Sequence, residues 1–174
     1  MMKYIKHILF AGIICLFSCQ QTNANIAPTI SKKYSNEEIQ NKIIAYKSSH
    51  HSDTYPSSIL SKKFSNDFPN ASDIDWETAA NIYKVEFEIG RTDHEAYYDA
   101  QGELLMYTVE LEEAELPAVV RNAIVTKYPD HKLDDITKIC RGSNTFYKVE
   151  VKQRKNDYIV IVSSNGTITD EYID

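Results

Sequence analysis

The chain has few glycines, no cluster of basic residues and no long apolar run, and each shortage excludes a class of function. Only five of its 174 residues are glycine, and none forms a phosphate-cradling loop, so nucleotide chemistry has no support. Its 19 lysines and arginines are outnumbered by 25 acidic residues. This balance argues against nucleic acid, whose phosphates attract Lys and Arg, and against lying flat on anionic lipid.

The main apolar run lies near the N-terminus and is too short to span a bilayer. It covers residues 8–17 and follows two lysines, which predicts a secretory signal peptide over residues 1–18 rather than a transmembrane helix. Residues 16–19, Leu-Phe-Ser-Cys, resemble a bacterial lipobox, in which cleavage precedes a cysteine that takes a diacylglycerol. We therefore predict lipidation at Cys19, and an ordinary signal peptide cut nearby is the alternative.

The predicted anchor places the protein in the bacterial envelope, in contact with the membrane only through its N-terminal lipid. Gln20 stands where an Asp retains many lipoproteins at the inner membrane, so resemblance to that sorting rule implies the outer membrane, with the body in the periplasm or outside. Removal of the signal peptide takes away two lysines and no acidic residue, so the formal charge changes from −6 to −8. By this prediction Cys15 leaves with the signal peptide and Cys19 is acylated, so we expect Cys140 to have no disulfide partner and stability to come from packing.

Residues 19–54 are rich in Ser, Asn, Thr and Gln and poor in large apolar side chains. This composition predicts a flexible, lipid-anchored tether. Within it, Ile39, Ile43 and Tyr46 fall at helical spacing, so a short helix capped by Ser35 is an open alternative.

The rest of the chain contains an internal repeat. Residues 83–86, Tyr-Lys-Val-Glu, recur letter for letter as residues 147–150, and Gly102 recurs as Gly166. Self-similarity at this period indicates two copies of one supersecondary unit. The predicted units are residues 55–113 and 114–174.

Two periodicities follow each other within each unit. Apolar residues step four positions at a time along a helix face, as at Leu60, Phe64 and Phe68, and prolines bracket the helix in both units. The period then changes to two, which indicates antiparallel strands with one packed and one wet face. We therefore expect an α+β fold of two tandem units, each a helix on one face of a four-stranded antiparallel sheet. The opposite face is expected to stay open.

Several segments carry a resemblance to a known family. They are the helix ends Phe-Pro-Asn and Tyr-Pro-Asp, the acidic strand with Trp76, the repeated Tyr-Lys-Val-Glu, residues 97–102 and residues 115–119. Together they resemble the PepSY-like domain, also described as β-lactamase-inhibitor-like, over residues 55–174. The resemblance implies a fold like that of the secreted β-lactamase inhibitor protein, whose concave sheet grips an enzyme. It implies no catalytic residues and suggests control of secreted enzymes.

Catalytic and metal chemistry find little support among the polar residues. His50, His51 and Asp53 are metal ligands by type, but neighbouring histidines in a polar segment lack the spacing that positions ligands. No serine lies in a Gly-x-Ser-x-Gly elbow, and adjacent carboxylates such as Glu112-Glu113 point to opposite faces of a strand. We expect no enzyme activity, no metal and no cofactor.

The residues expected on the open sheet face are the candidates for binding. Alternation places charged residues opposite the helix, and the register of the repeat adds apolar residues from the following strands. Aromatic, aliphatic and methionine side chains within a charged surround are typical of a protein-binding patch. The candidates are Tyr97, Met106, Ile159, Ile161, Lys84, Glu86, Lys148 and Glu150.

The sequence leaves the identity of the partner and the oligomeric state open. We expect an envelope or secreted protein as the partner, and the resemblance alone implies inhibition of an enzyme. A small-ligand or glycan-binding lipoprotein, in which exposed tyrosines stack on a sugar ring, is the alternative, and a hydrolase is a third. A broad, shallow patch would favour a protein partner, whereas a concave pocket enclosing Tyr97 and Trp76 would favour a ligand.

Overall fold

The computed structural model describes residues 27–153 and 156–174, which form three α-helices and nine strands. The helices are α1 (Asn36–Lys47), α2 (Ser58–Asp67) and α3 (Ala118–Lys127), with a short 3₁₀ helix at Glu113–Glu115. The strands are β1 (Ser52–Asp53), β2 (Ser72–Ala79), β3 (Ile82–Ile89), β4 (Thr92–Asp99), β5 (Leu104–Leu111), β6 (Lys132–Arg141), β7 (Asn144–Lys152), β8 (Asp157–Ser163) and β9 (Ile168–Ile173). None of the helices in these ranges has the length and hydropathy to cross a membrane.

All nine strands form one antiparallel sheet, in which each strand pairs with the next one along the chain. The predicted combination of helices with an antiparallel sheet is confirmed, but the expected division into two four-stranded sheets is wrong. Strand β5 pairs with β6, from Met106 opposite Arg141 to Leu111 opposite Ile136. This pairing satisfies the backbone N–H and C=O groups that two separate sheets would leave along their facing edges.

Helices α2 and α3 pack on the same side of the sheet, one over each repeat. Leu60 and Phe64 of α2 lie in a buried cluster with residues of β2–β6, and Val120 and Ile124 of α3 lie in a second cluster with residues of β6–β8. The ring of Phe64 packs edge-on against Trp76, with centroids 5.4 Å apart. Such aromatic pairs contribute about 0.5–1.5 kcal/mol beyond the area they bury. We call this side of the sheet the α2/α3 side.

The second hairpin of each repeat has the same hydrogen bond. Gly102 donates its N–H to the carbonyl of Asp99 at 3.0 Å, and Gly166 donates to the carbonyl of Ser163 at 2.9 Å. Both glycines have positive φ, 79° and 87°, which would strain any side chain. At Gly166 a Cβ would also meet Val119 at 2.9 Å. Gly102 and Gly166, which the repeat relates, therefore occupy equivalent turns.

Helix α1 packs on the opposite side of the sheet, which we call the α1 side. Its residues Ile39, Ile43 and Tyr46 form a third buried cluster with residues of β2–β5. The helix begins with a capping box, since the Glu38 N–H donates to Ser35 Oγ at 3.2 Å and the Ser35 N–H donates to the Glu38 carboxylate at 2.8 Å. From residue 27 onward, the predicted tether is therefore folded onto the sheet, and the alternative helix is the one that forms.

The chain before α1 crosses from one side of the sheet to the other. Ile30 packs against the α2 cluster, and the Ser31 N–H donates to the carbonyl of Leu104 at 2.8 Å. Tyr34 then packs against the α1 cluster, and its hydroxyl donates to the buried carboxylate of Asp99 at 2.7 Å. These contacts hold the start of α1 against one end of β4 and β5.

The predicted signal peptide, the predicted lipidation site Cys19 and residues 20–26 of the predicted tether lie outside the described ranges. These assignments stay predictions.

Candidate functional site

Helix α1 covers only part of its side of the sheet. The cluster beneath it draws on β2–β5, with Ile139 of β6 at its margin. Among the described residues, no helix packs on β7–β9 on this side. We call this uncovered surface the open face. By strand register it contains Thr137, Arg141, Phe146, Lys148, Glu150, Ile159, Ile161 and Tyr172.

Two of the eight predicted binding residues are buried beneath α1. Tyr97 is 3% exposed and Met106 is 5% exposed, although both lie on the expected side of the sheet. The expectation that they are accessible is wrong because the chain before the first repeat supplies a helix that covers them. The ring of Tyr46 packs edge-on against the ring of Tyr97, with centroids 5.5 Å apart.

Lys84 and Glu86, two further candidates, belong to a charged cluster beside the C-terminal end of α1. The Lys84 Nζ lies 3.2 Å from the Glu77 carboxylate and 3.4 Å from the Glu95 carboxylate, and it also bonds Glu86. Burial acts to lower the pKa of Lys84, but these carboxylates outweigh it and hold the pKa above its ordinary value. The Tyr97 hydroxyl donates to Glu95 at 2.9 Å. The cluster therefore presents more negative than positive charge at the margin of α1.

The other four candidates lie on the open face. Ile159 pairs with Glu150, and Ile161 pairs with Lys148, so the four residues share one side as expected. Ile161 and Lys148 are half-buried, whereas Ile159 is 7% exposed and Glu150 is 6% exposed. The Glu150 carboxylate lies 3.5 Å from the Lys152 ammonium. Ile161 and Lys148 are thus the accessible members, and the role of all eight candidates in binding stays a prediction.

The open face also contains two residues that the sequence analysis missed. The Arg141 guanidinium carbon lies 5.1 Å from the centre of the Phe146 ring. The Arg141 Nε is buried and has no hydrogen-bond partner among the described residues. Burial lowers the pKa of Arg141, but an arginine keeps its charge in proteins. The repeat could have identified Phe146, which directly precedes the second Tyr-Lys-Val-Glu, whereas Arg141 lies outside the matched letters.

The repeat relates the open face to the surface beneath α1. Phe146 stands before the second Tyr-Lys-Val-Glu as Ile82 stands before the first, and Ile161 precedes Gly166 by the same spacing as Tyr97 precedes its own glycine. In the first repeat, α1 buries both Ile82 and Tyr97. Their counterparts in the second repeat are only half-buried. The open face is therefore the counterpart, in the second repeat, of the surface that α1 covers in the first repeat.

His51 and Cys140 occupy structural positions. His51 stacks on Tyr46 with ring centroids 4.4 Å apart, and its Nε2 lies 2.8 Å from the Tyr46 carbonyl oxygen. Cys140 is buried. No group of three or more His, Cys, Asp or Glu side chains within the described ranges is arranged to hold a metal ion.

The fold and the open face define a helix-and-antiparallel-sheet protein that presents one uncovered sheet surface. A family model described as β-lactamase-inhibitor-like, PepSY-like matches residues 44–106 and 81–170. The chain belongs to this PepSY-like family, so the resemblance stated above is confirmed.

Solved structures from Bacteroides share the fold. A DUF2874 family protein of Bacteroides uniformis has a TM-score of 0.63 and 18% identity, over 68% of this chain and 90% of that one. A BLIP-like protein of Bacteroides fragilis has a TM-score of 0.62 and 24% identity, over 69% and 87%. A DUF2874 family protein of Bacteroides ovatus has a TM-score of 0.62 and 18% identity, over 69% and 89%. A comparison with curated proteins gives no match.

Proposed function

We propose that this protein is a non-catalytic, lipid-anchored protein of the bacterial envelope that binds another protein through its open face. The observation that carries the proposal is the half-exposed pair Phe146 and Ile161, whose counterparts in the first repeat are buried by α1. Exposed apolar surface on a sheet is typical of an interaction site. Membership of a family described as β-lactamase-inhibitor-like supports the same role.

The charges of the open face indicate the chemistry of the partner. Arg141 and Lys148 flank the apolar pair, and neither makes an ion pair with a described residue. A partner segment with apolar and acidic side chains would cover the apolar pair and neutralise both cations. We expect this segment to belong to a secreted or envelope enzyme, which the protein would inhibit.

The envelope location rests on the N-terminal pattern. Cys19 would carry the lipid, and Gln20 after it favours the outer membrane over the inner one. The glycan-binding alternative lacks the pocket that would favour it, because Tyr97 is 3% exposed beneath α1 and Trp76 lies on the α2/α3 side of the sheet.

Site-specific photo-cross-linking in the native envelope tests the proposal. A benzophenone side chain replaces Ile161 on the open face or, as the control, Val125 on the outer surface of α3, which is 42% exposed. We expect a defined cross-linked protein from position 161 and none, or a different one, from position 125. Identical products from both positions would contradict a contact through the open face.

The partner identified by cross-linking is then purified on its own, and its affinity for this protein is measured. We expect Ile161→Asp to raise the Kd at least about tenfold, because it places an unpaired carboxylate in an apolar contact. Arg141→Gln should weaken binding as well and reduce its dependence on salt. Val125→Asp is the matched control and should leave the Kd unchanged. If Val125→Asp weakens binding as much as Ile161→Asp, the open face is not the interface.

A further inference from the structure

The α2/α3 side of the sheet contains a cleft that the proposed protein-binding role does not use. Its volume is about 760 Å³, which lies within the range of small-molecule sites, roughly 300–1,000 Å³. It lies where the end of α2 meets β4, β5 and β6, and Ala27 and Pro28 contribute to its lining. The cleft is therefore a second concave feature, on the opposite side of the sheet from the open face.

About half of the residues that line the cleft are apolar, and they include two aromatic rings. Phe68 at the end of α2 and Tyr107 of β5 contribute aromatic rings, with centroids 6.1 Å apart. Ile89, Val109 and Leu111 extend the apolar surface towards the ends of β3 and β5. Such a lining suits a ligand with an apolar body.

Lys138 is the cation of the cleft. It pairs with Val109 on one side and with Tyr147 on the other, so its side chain projects on the α2/α3 side among apolar neighbours. It is half-buried and makes no ion pair within the described part of the chain. Lys84 and Lys152, on the other side of the sheet, each lie within ion-pair distance of carboxylates. An ammonium group among apolar side chains is stabilised when an anion pairs with it.

Three carboxylates line the cleft, and two of them accept hydrogen bonds from other groups. Asp67 accepts a hydrogen bond from the Tyr98 hydroxyl at 3.0 Å. Glu115 accepts from the backbone N–H of Glu112 at 2.9 Å. Glu110 pairs with Thr137, so its side chain projects towards the α1 side. None of the three forms an ion pair with Lys138 among the described residues.

His94 adds a polar group without adding charge at neutral pH. Its imidazole stacks on Phe87 with ring centroids 5.2 Å apart. Burial lowers its pKa and outweighs the opposite effect of Asp93. Lys138 is thus the positive group that the sheet contributes to the cleft.

We propose that this cleft binds a small amphiphile with an apolar body and one carboxylate, in which the carboxylate pairs with Lys138 and the apolar body lies against Phe68 and Tyr107. The unpaired ammonium group and the apolar lining together carry this inference. It does not depend on the open face or on any protein partner.

Octanoate and 1-octanol test the proposal, because they share an alkyl chain and differ in the carboxylate. Each is titrated into the purified, ¹⁵N-labelled protein. With octanoate we expect saturable shifts at Tyr107 and Lys138 in the cleft and none at Ile161 on the open face. Octanol should bind more weakly.

Two lysine variants make the test specific. Lys138→Met should raise the Kd for octanoate about tenfold or more and leave octanol binding unchanged, since a charge-assisted pair is lost and the apolar contact is kept. Lys148→Met is the matched control, because Lys148 lies on the neighbouring strand but projects on the α1 side. It should leave both affinities unchanged.

Three results would overturn the proposal. They are the absence of saturable cleft shifts in the folded wild type, octanol binding as tightly as octanoate, and equal losses in the two lysine variants. The wild-type shift pattern stands as evidence even if Lys138→Met does not fold. Because no protein partner takes part, failure here leaves the cross-linking result for the open face untouched, and the reverse also holds.

Discussion

The ring of Tyr46 in α1 packs edge-on against the ring of Tyr97 in β4, with centroids 5.5 Å apart. Both hydroxyls bond carboxylates of the same charged cluster, Tyr46 to Glu77 and Tyr97 to Glu95. The contact therefore joins the segment before the repeats to the sheet by an apolar face and a polar edge. Tyr97, which the sequence predicts to contact a partner, is therefore part of the core.

Replacing Tyr97 by alanine should lower the free energy of unfolding by about 3 kcal/mol, the order of a large-to-small aromatic change in a core. The residue is 3% exposed and supports α1. The measurement is urea denaturation followed by circular dichroism. Tyr172→Ala is the control, because Tyr172 is 50% exposed, and it should change stability by about 0.5 kcal/mol or less. Equal losses for both variants would show that α1 does not bury Tyr97 in solution.

Replacing Ser35 by alanine should destabilise α1 by about 1 kcal/mol, because the capping box loses its side-chain acceptor. Hydrogen exchange should show the loss chiefly at the amides of α1, since α2 and α3 have their own contacts with the sheet. Ser65→Ala on α2 is the control. The Ser65 hydroxyl bonds the Ser61 carbonyl within the same helix, so its loss should cost little. Uniform faster exchange throughout the protein would contradict a local role for the cap.

The buried carboxylate of Asp99 should make stability depend on acid pH. Burial acts to raise its pKa, but hydrogen bonds from the backbone of Glu103 and Gln101 and from the Tyr34 hydroxyl outweigh burial, so the folded pKa is lowered. The stabilisation is therefore fully present above the unfolded value of about 3.9 and is lost as the pH falls through the lower folded value.

Urea denaturation between pH 2 and pH 6 checks this sign. The wild type should exceed Asp99→Asn in stability near pH 6, and the difference should shrink below about pH 4 as the wild-type carboxyl takes up a proton. A difference that stays constant over this range would mean that the Asp99 carboxyl does not titrate differently in the folded and unfolded states.

Replacing Cys19 by serine should move the protein from the membrane fraction to the soluble fraction, because the predicted diacylglycerol is lost. Cys15→Ser, within the predicted signal peptide, is the matched control and should leave the protein in the membrane fraction. Fractionation with immunoblotting measures both. A Cys19→Ser protein that stays with the membrane would contradict the lipid anchor.

The folded body should also lie close to the membrane if the anchor is present. Eight residue steps separate Cys19 from Ala27, the first described residue, so the extended chain reaches at most about 30 Å. Förster transfer from a dye at Tyr55, which is fully accessible at 99% exposure, to labelled lipid checks this. The absence of energy transfer in the wild type would contradict a short connection between the lipid and the folded body.

The repeat predicted the local elements well because it depends on neighbouring residues. The stripe of Leu60, Phe64 and Phe68 and the alternation around Val85 correspond to α2 and β3, and the glycines before β5 and β9 lie in turns of positive φ. Spacing alone identifies such features, since each side of a helix or strand has a fixed period. The cleft has no such signal, because its lining comes from segments far apart in sequence.

The polar composition of the segment before the repeats favoured a flexible tether over the helix α1. Only Ile39, Ile43 and Tyr46 interrupt it at helical spacing, and a short helix of this kind is marginal in isolation. Its stability comes from packing on β2–β5. A local sequence pattern does not predict such long-range contacts. For the same reason the sequence placed Tyr97 on the correct side of the sheet and gave it the wrong exposure.

The duplicated helix-and-strand pattern, the turns and the family follow from the sequence alone, because these are encoded by residue type and short spacing. The tertiary structure alone decided that the repeats share one sheet, that α1 covers the first repeat and leaves Phe146 and Ile161 half-exposed, and that Lys138 lies in a cleft. Exposure is a property of the surroundings of a residue, and those surroundings are assembled from contacts across the whole chain.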